Sequence, residues 1–157
     1  MGVSYPGGKS PDKAARAWGA MMRRSENLTP AMKVGAEAVE RLIKLSFNNS
    51  TSPAGVPWDG LKESTIRNRR LGSSMPLQDS GALKLYSIAT HGARSIMFGT
   101  NIPYAGFHQF GTIRIPPRPF LPISISGQLT MQGPAKVVFD RISRQVGSYI
   151  VNGKLVG

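Results

Sequence analysis

The clearest pattern of apolar and polar positions runs from 29 to 47. Met32, Gly35, Ala36, Val39, Leu42, Ile43 and Phe47 recur at helical spacing and make one stripe. Thr29 is a good N-cap, and Pro30 suits the first helical position, where a missing N–H costs nothing. The spacing therefore predicts a long helix starting there. A second stripe, Val138, Ile142, Val146 and Tyr149, predicts a closing helix over 134–150, with Lys136, Asp140, Arg141 and Arg144 outward. Three shorter helices are expected. One spans 11–24, where Ala14, Ala15, Ala17, Trp18, Met21 and Met22 oppose Lys13, Arg16, Arg23 and Arg24. Another is basic, over 62–70. The third is opened by Asp79 or Ser80 as cap and turns Leu83, Tyr86 and Ile88 inward.

Between 88 and 100 the pattern changes to alternation, broken by His91, Gly92 and Ala93. Two antiparallel strands around a tight turn are predicted, with Ile96 and Phe98 on one face. Positions 103–110 return to a short helix or turn, and TIRIPPRPFLPIS is extended. Its prolines confine it to a sheet edge or to the space outside the sheet. The turn-rich run NNSTSPAGVPWDG is a loop holding one large aromatic, Trp58. The sum is an α+β fold: a small antiparallel sheet packed by a long helix of the N-terminal half and by the C-terminal helix, with an extended basic N-terminal arm. Residues 1–27 read as a flexible basic extension containing a short helix, and residues 28–157 as a single domain. The opening to Lys9 has too little apolar content to order itself.

Charge sharpens this picture. The 157 residues carry 20 Lys and Arg against 8 Asp and Glu, a formal net charge of +12. So strong an imbalance calls for an acidic partner, either nucleic acid or a protein surface. The absence of cysteine excludes disulfides and thiolate metal sites and suits a reducing cytoplasm. The first residues lack the apolar core of a signal peptide, and no stretch is apolar for long enough to span a bilayer, so no membrane is expected.

Catalytic chemistry finds little to work with. His91 and His108 are the two histidines, and neither sits in a nucleophile motif. The carboxylates Asp12, Glu26, Glu37, Glu40, Asp59, Glu63, Asp79 and Asp140 are scattered, with no histidine pair at helical spacing. The glycines form no phosphate-cradling loop between a strand and a helix. The expectation is therefore no enzyme, no metal and no cofactor.

Four segments remain, in order: PWDGL at 57–61, PLQDSGAL at 76–83, FGTNIPYAGFHQFGT at 98–112 and IPPRPFL at 115–121. Together they resemble the phage virion morphogenesis family, whose members act in tail completion in Mu-like and related tailed phages. The resemblance runs over 28–150 and leaves out the basic extension. It implies a structural protein of the virion tail or neck, assembled in the host cytoplasm, that completes the tail end meeting the head. A homo-oligomeric ring, hexameric for preference, would touch neighbouring neck and tail proteins and contact DNA in its channel without sequence specificity. The alternative is a nucleic-acid-binding module that uses the same basic surface.

The residues themselves support specific roles. Tyr104, Phe107 and Phe110 can pack in a buried corner whose turn is fixed by hydrogen bonds from His108 and Gln109, with Gly111 supplying backbone freedom. A lone histidine such as His108 is most often structural. Prolines stiffen the segment carrying Arg114, Arg118 and Phe120, which can either meet a partner or pack internally. Trp58 reads first as a loop anchor and second as an interface residue. Arg67, Arg69 and Arg70 have no aromatic interleaved, which leaves phosphate attraction or a solvated or protein-facing helix face.

Overall fold

A computed structural model describes residues 11–69, 73–124 and 126–156. The expected flexible run before Lys9, and Arg70, lie outside the described residues. The elements in order are α1 (Pro11–Glu26), α2 (Thr29–Asn49), α3 (Glu63–Arg67), α4 (Ala82–Leu85), β1 (Ser87–His91), β2 (Ile96–Thr100), α5 (Ala105–Phe110) and α6 (Gly133–Asn152). This is the α+β fold that the patterning implies.

α2 is the centre of the molecule and packs on β1, β2 and α6. Every apolar position of its predicted stripe is buried, and Val39, Ile43 and Phe47 are wholly so. Gly35 lets the neighbours come close: a Cβ there would stand 2.6 Å from Ile96 Cδ1 and 3.4 Å from Ile142. The helix starts one residue earlier than its expected cap. Leu28 is the N-cap, its N–H donating to the Ala93 carbonyl, and Thr29 is the first helical residue. Asn27 Oδ1 accepts from both the N–H and the hydroxyl of Thr29. A tertiary bond to the hairpin thus overrides the local signal at this end.

β1 and β2 pair antiparallel, Ser87 opposite Thr100 and His91 opposite Ile96, closed by the Gly92 N–H donating to the Ser95 carbonyl. Ile96 and Phe98 share the face that packs on the core. α6 turns Val138, Phe139 and Ile142 to that core and leaves Lys136, Asp140, Arg141 and Arg144 exposed. Gln145, also buried, exchanges two hydrogen bonds with the backbone of Val156, which folds the C-terminal residues back on the helix.

Several expectations need correction. Tyr86 and Ile88 are half exposed; of the three residues expected to turn inward around α4, only Leu83 does so. α4 is capped by Gly81 in a left-handed conformation and not by Asp79 or Ser80; Ser80 Oγ, one residue further out, accepts from the Ala82 N–H at 3.4 Å. The basic helix is five residues long instead of nine, because the chain leaves it at Asn68. The proline-rich segment, by contrast, takes one of its two expected places and adds no strand to the hairpin. It runs outside the sheet as a strap, with an isolated bridge between Ile123 and Leu129.

α1 is a well-formed helix that docks on α6. Arg24 Nη1 donates to the carbonyls of Ile150 and Val151 at 2.6 and 2.7 Å, tying α1 to the C-terminal end of α6. Residues 12–18 are exposed, Trp18 among them.

Candidate functional site

The four segments singled out in the sequence meet one another. Phe47 of α2 takes the Trp58 ring edge-on at 5.7 Å and the Phe120 ring at 5.4 Å, so loop, helix and strap share one aromatic cluster. Trp58 Nε1 donates to the Pro119 carbonyl at 2.8 Å. Arg118 reaches the other way: its Nε and Nη2 donate to the carbonyls of Asp59 and Gly60, both at 2.9 Å. The loop 57–61 and the strap are thereby clamped together from both sides.

α5 supplies the second clamp. Gln109 is buried, and its Oε1 accepts from the N–H groups of Phe120 and Leu121, while Nε2 donates to the carbonyls of Leu121 and Ile123. One side-chain amide thus satisfies four backbone groups of a segment that has no strand partner. The Arg118 N–H donates to the His108 carbonyl at 2.7 Å, which adds a main-chain tie. Gly111 makes the turn from α5 into the strap at φ 76°, where a Cβ would meet Pro117 N and Cδ at 3.0 Å.

This arrangement takes the internal one of the two readings open for Trp58, Arg118 and Phe120. Trp58, Arg118 and Phe120 are buried, at 8, 6 and 0 % exposure, so within this chain they hold the strap in place. Arg114 is exposed. In the α5 motif, Gln109 directs its hydrogen bonds to the strap and not to the local turn as expected, His108 Nδ1 makes none among the described residues, and Tyr104, Phe107 and Phe110 stand on the surface and build no buried corner. Arg67 is exposed, and Arg69 is held by the carbonyls of Ser73 and Met75.

Between these clamps lies a cleft of about 620 Å³. Its floor is the buried Leu77, Leu83 and Arg118; Ile115 and Pro116 form one wall, and Tyr104 and His108 another. Lys62, Arg69 and Arg114 bring further cations to it, and Asp79 is its carboxylate. His108 stands edge-on to the Tyr104 ring at 5.9 Å, and its Nδ1 is buried with no hydrogen-bond partner among the described residues. Burial lowers the His108 pKa from its ordinary value, and the charges of Arg118 and Arg69 lower it further. Burial likewise lowers that of Arg118, with Asp59 opposing and Arg69 adding to the shift. The imidazole is therefore neutral at pH 7 in a field of positive sign. The sequence did not mark this cleft, because its lining comes from three segments far apart in the chain.

Among the described residues no group of three or more His, Asp or Glu side chains could hold a metal ion, and no helix is long and apolar enough to cross a membrane. The family model described as the phage virion morphogenesis family matches residues 11–139. The match takes in α1, which the motif resemblance had left outside, and ends within α6. No curated protein and no solved structure matches the chain.

Proposed function

From the premise that the chain belongs to the phage virion morphogenesis family, a family of particle assembly, we propose that it completes the tail at the junction with the head, as a subunit of a homo-oligomeric ring. The family match over most of the chain carries this reading. Two structural features support it. α1 is anchored near its C-terminal end by Arg24, while residues 12–18 stand clear with Trp18 65 % exposed, as suits a helix that reaches a neighbouring subunit. The two-stranded sheet has no third strand at either outer edge among the described residues, which leaves it open to strand addition.

A hexamer would match the symmetry of a tail tube, and a ring so built would line a DNA channel with part of the basic excess. The test is electron microscopy of lysates from phage carrying an early stop codon in this gene. Filled heads beside separate or malformed tails are expected; intact virions would overturn the reading. Particle symmetry at the virion neck tests the ring separately. A retardation assay across salt concentrations should find only weak, unspecific DNA binding by the isolated protein; tight binding that collapses with salt would favour the free nucleic-acid module instead.

A further inference from the structure

We infer that the cleft between α3, residues 77–83 and the strap receives an acidic peptide segment of a partner protein, one in which carboxylates alternate with apolar side chains. Four cations reach the cleft, Lys62, Arg69, Arg114 and Arg118, against the single carboxylate of Asp79. The ion pairs formed among the described residues, Lys44 with Glu40 and Lys136 with Asp140, lie on α2 and α6, so none of the four is in an ion pair, and besides Asp79 only the charge of Asp59 near Arg118 partly offsets them. Arg69 and Arg118 are moreover fixed in place by backbone carbonyls, so little side-chain freedom is lost when an anion arrives. Guanidinium groups held in this way suit carboxylates, which they can grip through paired N–H donors.

The rest of the lining selects the kind of anion. Leu77 and Leu83 on the floor and Ile115 on the wall offer apolar contact beside the charges, which a peptide can use and a sugar–phosphate backbone cannot. Single-stranded nucleic acid is held along a basic groove by several stacking aromatics. Here one aromatic lines the recess besides His108, and its ring is already met edge-on by that imidazole. A second copy of this chain is a poor donor, with 8 acidic residues among 157. The buried, unpartnered Nδ1 of His108 adds a polar group that a bound peptide can satisfy. After burial, the charges of Arg118 and Arg69 also lower the His108 pKa, as cations facing the same recess do.

The experiment is an NMR titration of the labelled full chain with the acetylated peptide Leu-Glu-Asp-Leu-Glu. The same peptide with lysines in place of its acids, inorganic phosphate and a short DNA single strand serve as comparisons. The acidic peptide is expected to bind saturably, move the Arg69 and Arg114 Nε–H signals, and raise the His108 pKa, because a carboxylate now faces the imidazole. Arg114→Glu, exposed and making no contact that holds the fold, should weaken binding about tenfold or more. Arg141→Glu on the exposed face of α6 should leave it unchanged. The inference is overturned if phosphate or the DNA strand occupies the cleft more tightly than the peptide, if Arg141→Glu weakens binding as much as Arg114→Glu, or if the peptide moves none of these signals. It deepens the assembly reading by naming a partner's chemistry. It is judged on binding by the isolated protein, whereas that reading is judged on particle morphology.

Discussion

Along α2 the positions facing inward are almost all apolar, and except at its ends, where Leu28 bonds Ala93 and Gln78 Nε2 donates to the Phe47 carbonyl, the helix satisfies its own backbone, so its main demand on its neighbours is volume. The strap that follows Gly111 faces the opposite problem. It has no ladder partner, yet Phe120 and Pro122 are fully buried, and their backbone groups reach hydrogen-bonding partners through Gln109 and main-chain turns. Shape therefore specifies one half of the molecule and particular donor and acceptor atoms specify the other. The difference predicts opposite responses to conservative substitution.

The two halves meet at Phe47 and Phe120, where the effect of truncation should be greatest. Phe47→Ala and Phe120→Ala are each expected to cost about 3–5 kcal/mol in urea unfolding, since each empties a fully buried site. The double variant should lose less than the sum, because the rings touch each other. Full additivity would mean that the aromatic cluster does not couple loop, helix and strap. Away from that contact the halves diverge. Gln109→Leu keeps the volume but strips partners from four backbone groups, at an expected cost of about 3 kcal/mol. Leu42→Met on the helical side should cost less than about 1.5 kcal/mol. Equal losses would erase the distinction. Arg118→Lys comes next, at about 1–2 kcal/mol, since an ammonium cannot reproduce the two-pronged grip on Asp59 and Gly60.

The same contrast explains what could be read from sequence. Burial at 3.6-residue spacing is a local signal, so α2 and α6 were legible, as was the hairpin from its alternation around Gly92. The four motif segments were visible as unusual chain, but the fact that Arg118 would bond the backbone at Asp59 and Gly60 was not, because a carbonyl acceptor leaves no mark on side-chain identity. Apolar residues also misled. Tyr86, Ile88 and Phe107 look like core by type but are exposed in the single chain, and a sequence does not distinguish burial within a subunit from burial between subunits. Gln145 shows the opposite, a polar residue that no pattern marks and that is buried because it ties down Val156.

The smallest expected effect tests the strap side through pH. His108 is only partly buried, but its folded-state pKa lies below its ordinary value because burial, then Arg118 and Arg69, disfavour the imidazolium. The unfolded chain therefore takes up a proton at higher pH than the folded one does. Above about pH 6.5, where the imidazole is neutral in both states, His108 imposes no penalty. As pH falls through that value, unfolding gains protons that the native cleft resists, and stability declines until the folded imidazole also protonates. His108→Phe should flatten this part of the profile of melting temperature between about pH 7.5 and pH 5, while leaving the contribution of the carboxylates at lower pH. A variant on the helical side such as Leu42→Met should lower the whole curve without changing its slope, because the substitution alters no titrating group. If the slope near neutrality survives in His108→Phe, a depressed His108 pKa is not its source, and the titrating half of the comparison fails while the packing half stands.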